Sequence, residues 1–123
     1  MVAAYMGAKD VLATDIDPIA VRVAEENVAA NGLTDRIRCA AGNLLENIHE
    51  SADVVIANII ADAIVILAAP VKPHIHMGGR FICSGIAIER RGEVLDALNA
   101  ANYEITDVLE RGEWCAVAAK RVD

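Results

Sequence analysis

The sequence has few aromatic residues and no excess of positive charge. Only 3% of its 123 residues are aromatic, and 18 acidic residues against 11 basic ones give a net charge of −7. A surface that binds single-stranded nucleic acid stacks bases on aromatic rings, and any nucleic-acid surface needs positive charge. The composition therefore excludes a broad nucleic-acid interface, and we expect no direct nucleic-acid partner.

Cysteine is also scarce, and the three residues present form no disulfide or metal pattern. Cys39, Cys83 and Cys115 are widely separated, and each lies in an apolar segment typical of a strand. Since an odd number of dispersed cysteines does not form a disulfide framework, we expect reduced, buried thiols and a cytoplasmic protein.

Signals for export or membrane insertion are absent from the sequence. Residues 1–7 lack the basic start and the apolar centre of a signal peptide. The apolar stretch 54–71 contains Asn58, Asp62 and Pro70, and one central Asp costs about 2.5–3.5 kcal/mol to insert into a bilayer. We therefore expect no membrane span.

What the sequence does contain is a large aliphatic fraction, arranged in short runs that alternate with helical patterns. Hydrophobic residues make up 55% of the chain, which is long enough for one domain. The helices are predicted at 18–30, after the N-cap Asp17, at 61–69, ending before Pro70, and at 89–101. The strands are predicted at 11–16, 36–41, 52–59, 80–84 and, as a hairpin around Gly112, at 103–110 and 114–121. This order predicts an α/β fold with a mostly parallel sheet, helices on both faces and an antiparallel strand at one edge.

Three short segments are expected to be irregular or solvated. Gly78–Gly79 predicts a turn into the fourth strand, and Arg90–Arg91 is typical of a solvated helix face. His74 and His76 would share one side of an extended strand, but no third ligand lies nearby in the sequence. We therefore predict a solvated loop there and no metal site.

Polar residues lie at the carboxyl ends of the first two predicted strands, where open α/β sheets bind their ligands. The carboxylate of Asp15 can accept two hydrogen bonds from a ribose diol, or it can order a turn. Asp17 is more typical of a helix N-cap than of a ligand. Ile16 can lie against an adenine face, although burial alone would explain it. Asn43 offers the donor and acceptor that an adenine edge needs, but Asn is equally common in turns.

Asn58 ends the third predicted strand. We expect it to be buried among apolar neighbours, where an unpaired amide is costly, and this favours a functional role. Asp62, which follows it, is typical of the first turn of a helix. No Ser-His-Asp or Cys-His arrangement supports covalent catalysis.

Five segments taken together resemble a known family. They are VLATDIDP (11–18), VRVAEENVAANG (21–32), ADVVIANII (52–60), GGRFICSGI (78–86) and GEWCAVAAKR (112–121). They resemble the S-adenosylmethionine-dependent methyltransferases that act on the eleventh protein of the bacterial large ribosomal subunit. Asp-Ile-Asp-Pro is shared by many methyltransferases, whereas Asn-Ile-Ile-Ala together with Ser-Gly-Ile is specific to this family.

The resemblance implies a class I methyltransferase sheet of Rossmann-like topology, with residues 1–123 as a partial S-adenosylmethionine-dependent domain. It implies methyl transfer to amino groups of a ribosomal protein. Asp15 would bind the ribose hydroxyls of S-adenosylmethionine, and Ile16 would contact its adenine. Asn43 stands where relatives usually have Asp beside the adenine amino group. Asn58 would contact the cofactor and, as the catalytic residue, orient the accepting amine.

The resemblance also implies that parts of the family domain are missing. Relatives begin this domain with a strand and a glycine-rich loop that hold the methionine end of the cofactor, and residues 1–7 align with the end of the helix that follows. We therefore expect weak cofactor binding. The strands beginning near Val11 and Ala52 would flank the missing strand, so we expect them to pair directly or to be covered by a second copy, giving a homo-oligomer.

Two other functions remain open from the sequence. One is a non-catalytic remnant of the domain that acts as an oligomerising module. The other is a nicotinamide-binding Rossmann domain, which also uses an acid at the position of Asp15. The terminal hairpin and Asn58 argue against the nicotinamide alternative.

Overall fold

The computed structural model describes all 123 residues, which divide into two compact units, Met1–Ile48 and His49–Asp123. The first unit contains helices α1 (Val2–Tyr5) and α2 (Pro18–Ala30) and strands β1 (Val11–Asp15) and β2 (Ile37–Ala41). These two strands pair in parallel, from Val11 opposite Ile37 to Asp15 opposite Ala41. The buried core of this unit is small: Ala4, Val28, Leu33 and Ile37 form a cluster with Val11 and Cys39 packed against it, and Val21 is also buried.

Helix α2 begins and ends where the sequence predicts. The Asp17 carboxylate accepts a hydrogen bond of 2.9 Å from the Ile19 N–H, and Pro18 occupies the first helical position, where its missing N–H costs nothing. Asn31 is the C-cap, and Gly32 follows with a φ of +67°. The local signals at both ends therefore suffice to define this helix.

The second unit holds four strands and two helices. In chain order these are β3 (Ala52–Asn58), α3 (Ala61–Val71), β4 (Ile75–Ala87), α4 (Arg91–Ala100), β5 (Tyr103–Arg111) and β6 (Trp114–Arg121), with short 3-10 helices at Lys72–His74 and Ile88–Arg90. The sheet order is β3-β4-β6-β5. Strand β3 is parallel to β4, and β6 is antiparallel to both of its neighbours. The hairpin thus places its antiparallel strand inside the sheet, not at the edge where we expected it.

Helices α3 and α4 pack against each other on one face of this sheet. The side chains that fill this interface alternate along the strands, as a half-covered sheet requires. On the other face Ile82 and Ala118 are half-buried and Ile56 is 61% exposed. Both helices of this unit therefore lie on one face of the sheet, whereas we expected helices on both faces. The buried residues of this unit include Ile64, Leu67, Val71, Phe81, Cys83, Val94, Leu98, Val117 and Ala119.

Tyr103 links the start of β5 to helix α3 and to the core. Its hydroxyl donates a hydrogen bond of 2.9 Å to the Ala68 carbonyl, and its ring centroid lies 5.9 Å from that of Phe81. The Lys72 ammonium lies 5.5 Å from the Tyr103 ring centroid, within range of a cation–π contact. Burial raises the pKa of Tyr103 to about 12 because the phenolate would lose its hydration.

The three cysteines are free thiols on strands, as predicted. Cys83 and Cys115 are buried, whereas Cys39 is half-buried. Burial raises the pKa of the Cys83 thiol to about 12, and it also raises the pKa of Cys115. Both buried thiols are therefore protonated at neutral pH.

The predicted end of helix α3 is wrong. Pro70 lies inside the helix, which continues to Val71. A proline in the last turn deprives only the Ile66 carbonyl of its N–H partner, and Ile66 is exposed, so solvent can replace that bond. No helix has both the length and the apolar character needed to cross a bilayer, and the stretch 54–71 divides between β3 and α3.

The segment predicted as a solvated loop and a turn is instead the start of β4. His74 ends a 3-10 helix, Ile75 is fully buried, and His76 Nδ1 lies 3.1 Å from the Asp53 carboxylate. Gly78–Gly79 lies within a bulged part of the strand, since Ala52 pairs with Ile75 but Val54 pairs with Arg80. The glycines thus permit a wide bulge instead of ending the strand.

Strands β1 and β3 do not pair with each other, so direct pairing, one of our two expectations, is wrong. Strand β1 pairs only with β2, and β3 pairs only with β4. Each strand therefore has one side with no strand partner. Cover by a second copy remains a prediction.

The raised pKa of Tyr103 predicts a loss of stability in alkali. The folded-state pKa of about 12 exceeds the unfolded value of about 10. The contribution of Tyr103 to the free energy of unfolding is therefore complete below pH 10 and is lost as pH rises through 12. Between these values the free energy of unfolding should fall by up to about 1.4 kcal/mol per pH unit from this group. Urea denaturation across this range should show a shallower fall for Tyr103→Phe.

The exposed Tyr5 provides the control for this experiment. Tyr5→Phe should retain the wild-type slope, because this ring lies at the surface and not in the core. Equal slopes for wild type and Tyr103→Phe would contradict the assignment.

Candidate functional site

The carboxyl ends of β1 and β2 lie side by side because the two strands are parallel. The Gly42 N–H donates a hydrogen bond of 3.0 Å to the Asp15 carbonyl, just beyond the last paired residues. This bond holds the segment after β2 beside the segment after β1. The carboxyl end of the first sheet therefore holds Asp15, Ile16 and Asn43 together, as the sequence predicts.

One carboxylate oxygen of Asp15 orders a turn, and the other remains free to bind a ligand. Its Oδ1 accepts a hydrogen bond of 3.0 Å from the Asp17 N–H, which fixes the direction of the carboxylate. The residue is exposed, and its other oxygen has no hydrogen-bond partner in the chain. The two alternatives considered for Asp15 are thus compatible, since one oxygen serves the turn and the other faces solvent.

Ile16 and Asn43 present the other two surfaces of this edge. Ile16 is 67% exposed, so burial does not explain an isoleucine at this position. The Asn43 carbonyl accepts a hydrogen bond of 2.9 Å from the Glu46 N–H and begins a turn, while its side chain is exposed and makes no hydrogen bond. A carboxylate oxygen, an apolar surface and a carboxamide are therefore grouped here.

Asn58 ends β3 in the second unit, opposite Ser84 of β4. It is exposed, so the expectation that it is buried is wrong. The reason is that β3 is the outer strand of its sheet and has a paired strand on one side only. The carboxamide makes no hydrogen bond within the chain and remains available to a ligand.

An ion-pair network that the sequence analysis missed begins just after Asn58. Asp62 lies in the first turn of α3, as predicted, and pairs with the Arg90 guanidinium, which also pairs with Glu93. Hydrogen bonds to Glu93 and then Asp62 raise the pKa of Arg90. Arg91 pairs with Glu110 on β5 and is itself exposed, so the predicted solvated face is confirmed and carries ion pairs. Only the three-residue spacing of Arg90 and Glu93 could have signalled part of this network.

The second sheet also has a cleft of about 380 Å³ at the edge where β4 ends. Ala87 pairs with Trp114 there, and the Ile88 N–H donates a hydrogen bond of 3.0 Å to the Glu113 carbonyl. Trp114 is 57% exposed, and no sequence signal identified it. The cleft lies at the same edge of the sheet as Asn58, and its lining residues are Ala87, Ile88, Glu89, Gly112, Glu113 and Trp114.

The residues at the end of the first sheet fit the adenosyl part of a nucleoside cofactor. A free carboxylate oxygen suits a ribose diol, an exposed isoleucine suits the face of a purine, and a carboxamide suits its hydrogen-bonding edge. This fit rests on the grouping of Asp15, Ile16 and Asn43 within one unit.

Solved structures with the same fold define the class of protein. Ribosomal protein L11 methylase from Lactobacillus delbrueckii subsp. bulgaricus has a TM-score of 0.93 and 32% identity, over 99% of this chain and 63% of that one. Geranyl diphosphate methyltransferase, solved in complex with SAM, has a TM-score of 0.81 at 14% identity and shares the fold. The chain therefore has the Rossmann-like fold of the class I methyltransferases, as predicted.

Sequence comparison identifies the family. Residues 1–122 match the family model for ribosomal protein L11 methyltransferase (PrmA). A ribosomal protein L11 methyltransferase from Clostridium perfringens is 45% identical over 120 residues, which are 98% of this chain and 38% of that relative. The chain belongs to this family, and the predicted resemblance is confirmed. It spans well under half the length of that curated relative.

Asp17 should act as a helix cap and not as a ligand. Replacing it with Ala removes the bond to the Ile19 N–H and should lower the free energy of unfolding by about 1 kcal/mol. Asp17→Asn keeps a capping oxygen and should lose only a fraction of that amount. Urea denaturation measures both variants, and equal losses for Ala and Asn would show that the cap is not the source of the stability.

Proposed function

We propose that residues 1–123 form part of the catalytic domain of an S-adenosylmethionine-dependent methyltransferase that modifies amino groups of a ribosomal protein. The observation that carries this proposal is the grouping of Asp15, Ile16 and Asn43 at the carboxyl ends of two parallel strands, in a chain of this family. Modification of a ribosomal protein would place the activity in the cytoplasm.

In this proposal the first unit binds the adenosyl group. The free oxygen of Asp15 accepts hydrogen bonds from the ribose hydroxyls, and the turn bond from Asp17 keeps the carboxylate in place. Ile16 covers one face of the adenine, and the Asn43 carboxamide bonds its edge. Because relatives usually have Asp at the position of Asn43, the amide retains an acceptor but not the charge.

Asn58 acts on the acceptor. S-adenosylmethionine supplies a methyl group on a positively charged sulfur, a good leaving group. The Asn58 Oδ1 accepts a hydrogen bond from the accepting amine and so directs the nitrogen lone pair. Orientation of this kind, with exclusion of water, supplies most of the catalysis in an in-line transfer.

The charge of the chain suits a basic protein partner. A net charge of −7 attracts proteins that bind RNA, which carry positive charge themselves, and repels the RNA. The sulfonium of the cofactor is also positive. The electrostatics therefore favour a ribosomal protein as the acceptor over a nucleic acid.

Isothermal titration calorimetry tests cofactor binding by this chain. We expect binding of S-adenosylmethionine that is weaker than micromolar, since the residues found here fit only its adenosyl part. Asp15→Asn should weaken binding about tenfold, because it removes a charged hydrogen-bond acceptor. Asp17→Asn carries the same change of charge two residues away and should leave binding unchanged.

Two results would overturn the assignment of the cofactor site. One is an equal effect of the Asp15 and Asp17 variants. The other is tighter binding of NAD than of S-adenosylmethionine, which would support the nicotinamide alternative instead.

We also propose that the 123-residue chain covers its open β3 edge with a second copy. Strand β3 has no partner on one side, and Val54 and Ile56 are exposed beside that edge. This arrangement is also what a non-catalytic oligomerising module would require, so methyl transfer and self-association must be measured separately.

Sedimentation velocity should detect a concentration-dependent dimer. Ile56→Lys should abolish it, because a lysine beside an open edge opposes strand addition. Leu109→Lys, on the opposite edge strand β5, is the matched control and should preserve the dimer. A monomer at all concentrations, or equal effects of both variants, would contradict the proposal.

A further inference from the structure

Gly85 lies directly beside Asn58 at the carboxyl end of β4. Asn58 pairs with Ser84, so Gly85 is the next residue along the neighbouring strand. On its other side β4 contains a one-residue bulge, because Cys83 pairs with Val117 while Ile86 pairs with Cys115. The bulge places Gly85 in the left-handed region, with a φ of +75°.

The Asn58 side chain occupies the space that a side chain at position 85 would need. A Cβ added to Gly85 would lie 2.5 Å from Asn58 Oδ1 and 3.6 Å from Asn58 Cγ. It would also lie 3.3 Å from the Ile59 carbonyl oxygen. A distance of 2.5 Å is a steric overlap, so the carboxamide can hold this position only while residue 85 has no side chain.

The contact with Asn58 distinguishes Gly85 from the other glycines with positive φ. Gly78 is the closest match, because it lies on the same strand with a φ of +78°, yet nothing lies within 4 Å of an added Cβ there. The same open space surrounds Gly7, Gly32 and Gly112. Backbone conformation alone thus explains Gly78, whereas Gly85 has a second requirement.

No hydrogen bond holds the Asn58 carboxamide in place. The residue is exposed at the end of an outer strand. Strand β4, which is paired with β3, is therefore the neighbouring strand that limits the rotamer of Asn58. A methyl group at position 85 would push against the end of a short, unbonded side chain. The side chain would therefore yield by rotating, at little cost in stability.

We infer that Gly85 is a positioning residue, which lets the Asn58 carboxamide lie against β4 in the orientation needed to receive the acceptor. The inference deepens the proposed function and rests on it for the identity of the acceptor. The steric part concerns Gly85 and Asn58 alone and can be measured without any methyl donor.

NMR spectroscopy of the 123-residue chain tests the steric part. Gly85→Ala and Gly78→Ala both place an alanine at positive φ and should lose similar amounts of thermal stability. Only Gly85→Ala should shift the side-chain amide signals of Asn58 and change the χ1 couplings of that residue. Unchanged Asn58 signals in Gly85→Ala, or equal changes in Gly78→Ala, would overturn the inference.

A second variant covers the case in which Gly85→Ala does not fold. The double variant Asn58→Ala/Gly85→Ala removes the overlapping carboxamide and should fold as well as Gly78→Ala. Failure of the double variant to fold, where Gly78→Ala folds, would show that the overlap with Asn58 is not the constraint at position 85.

Kinetics on a longer family protein that carries these residues tests the role in catalysis. Gly85→Ala should lower kcat by about 10- to 100-fold and leave the Kd for S-adenosylmethionine unchanged, because the acceptor is misplaced while the adenosyl site is intact. Adding Gly85→Ala to Asn58→Ala should cause no further loss. An additional loss in the double variant would contradict positioning through Asn58, whereas absence of methyl transfer in the unaltered protein would refute the proposed function alone.

Discussion

Parallel pairing of β1 with β2 and of β3 with β4 is the constraint on which the candidate site depends. Parallel strands have their carboxyl ends on the same side of the sheet. Residues that follow such strands therefore become neighbours in space even when they are distant in sequence. Asp15 and Asn43 are 28 positions apart, yet the bond from the Gly42 N–H to the Asp15 carbonyl brings their segments together. The same pairing in the second sheet brings Ser84–Gly85 beside Asn58.

The two units support this constraint to different extents. In the second unit, two helices cover one sheet face, and Tyr103 and Phe81 pack in the same interior. The first unit has only five buried residues and depends more on local interactions, such as the Asp17 cap. Arg36 adds to these interactions, because its guanidinium donates to the carbonyls of Ala4 and Ala8 and so links α1 to β2. The first unit thus combines a small core with exposed groups that can bind a ligand. These features are typical of a binding surface and not of a rigid scaffold.

Features set by nearby residues could be predicted from the sequence. The Asp17 cap, the Gly112 hairpin and the presence of six strands follow from local propensity and from apolar runs, and the structure contains each of them, although β4 begins five residues earlier than predicted. The predicted residues of the adenosyl site also lie together, because the position after a parallel strand is itself a local signal. Their roles in binding remain predictions.

Features set by distant neighbours could not be predicted in this way. Burial of Asn58 depends on whether a second strand pairs with β3, and Asn58 is exposed because β3 pairs only with β4. Gly78–Gly79 looks like a turn, but pairing with β3 extends the strand through it. Arg90 finds Asp62, which is 28 residues away, only after α3 and α4 have packed. In each case the deciding contact is far away in sequence.

Titration of the ¹⁵N-labelled chain with S-adenosylhomocysteine, followed by NMR, tests most directly whether the strand ends bind a nucleoside. If they do, the backbone amides of residues 15–17 and 42–44 should show saturable shifts. Shifts absent up to the solubility limit of the ligand, or confined to residues away from these strand ends, would contradict such binding.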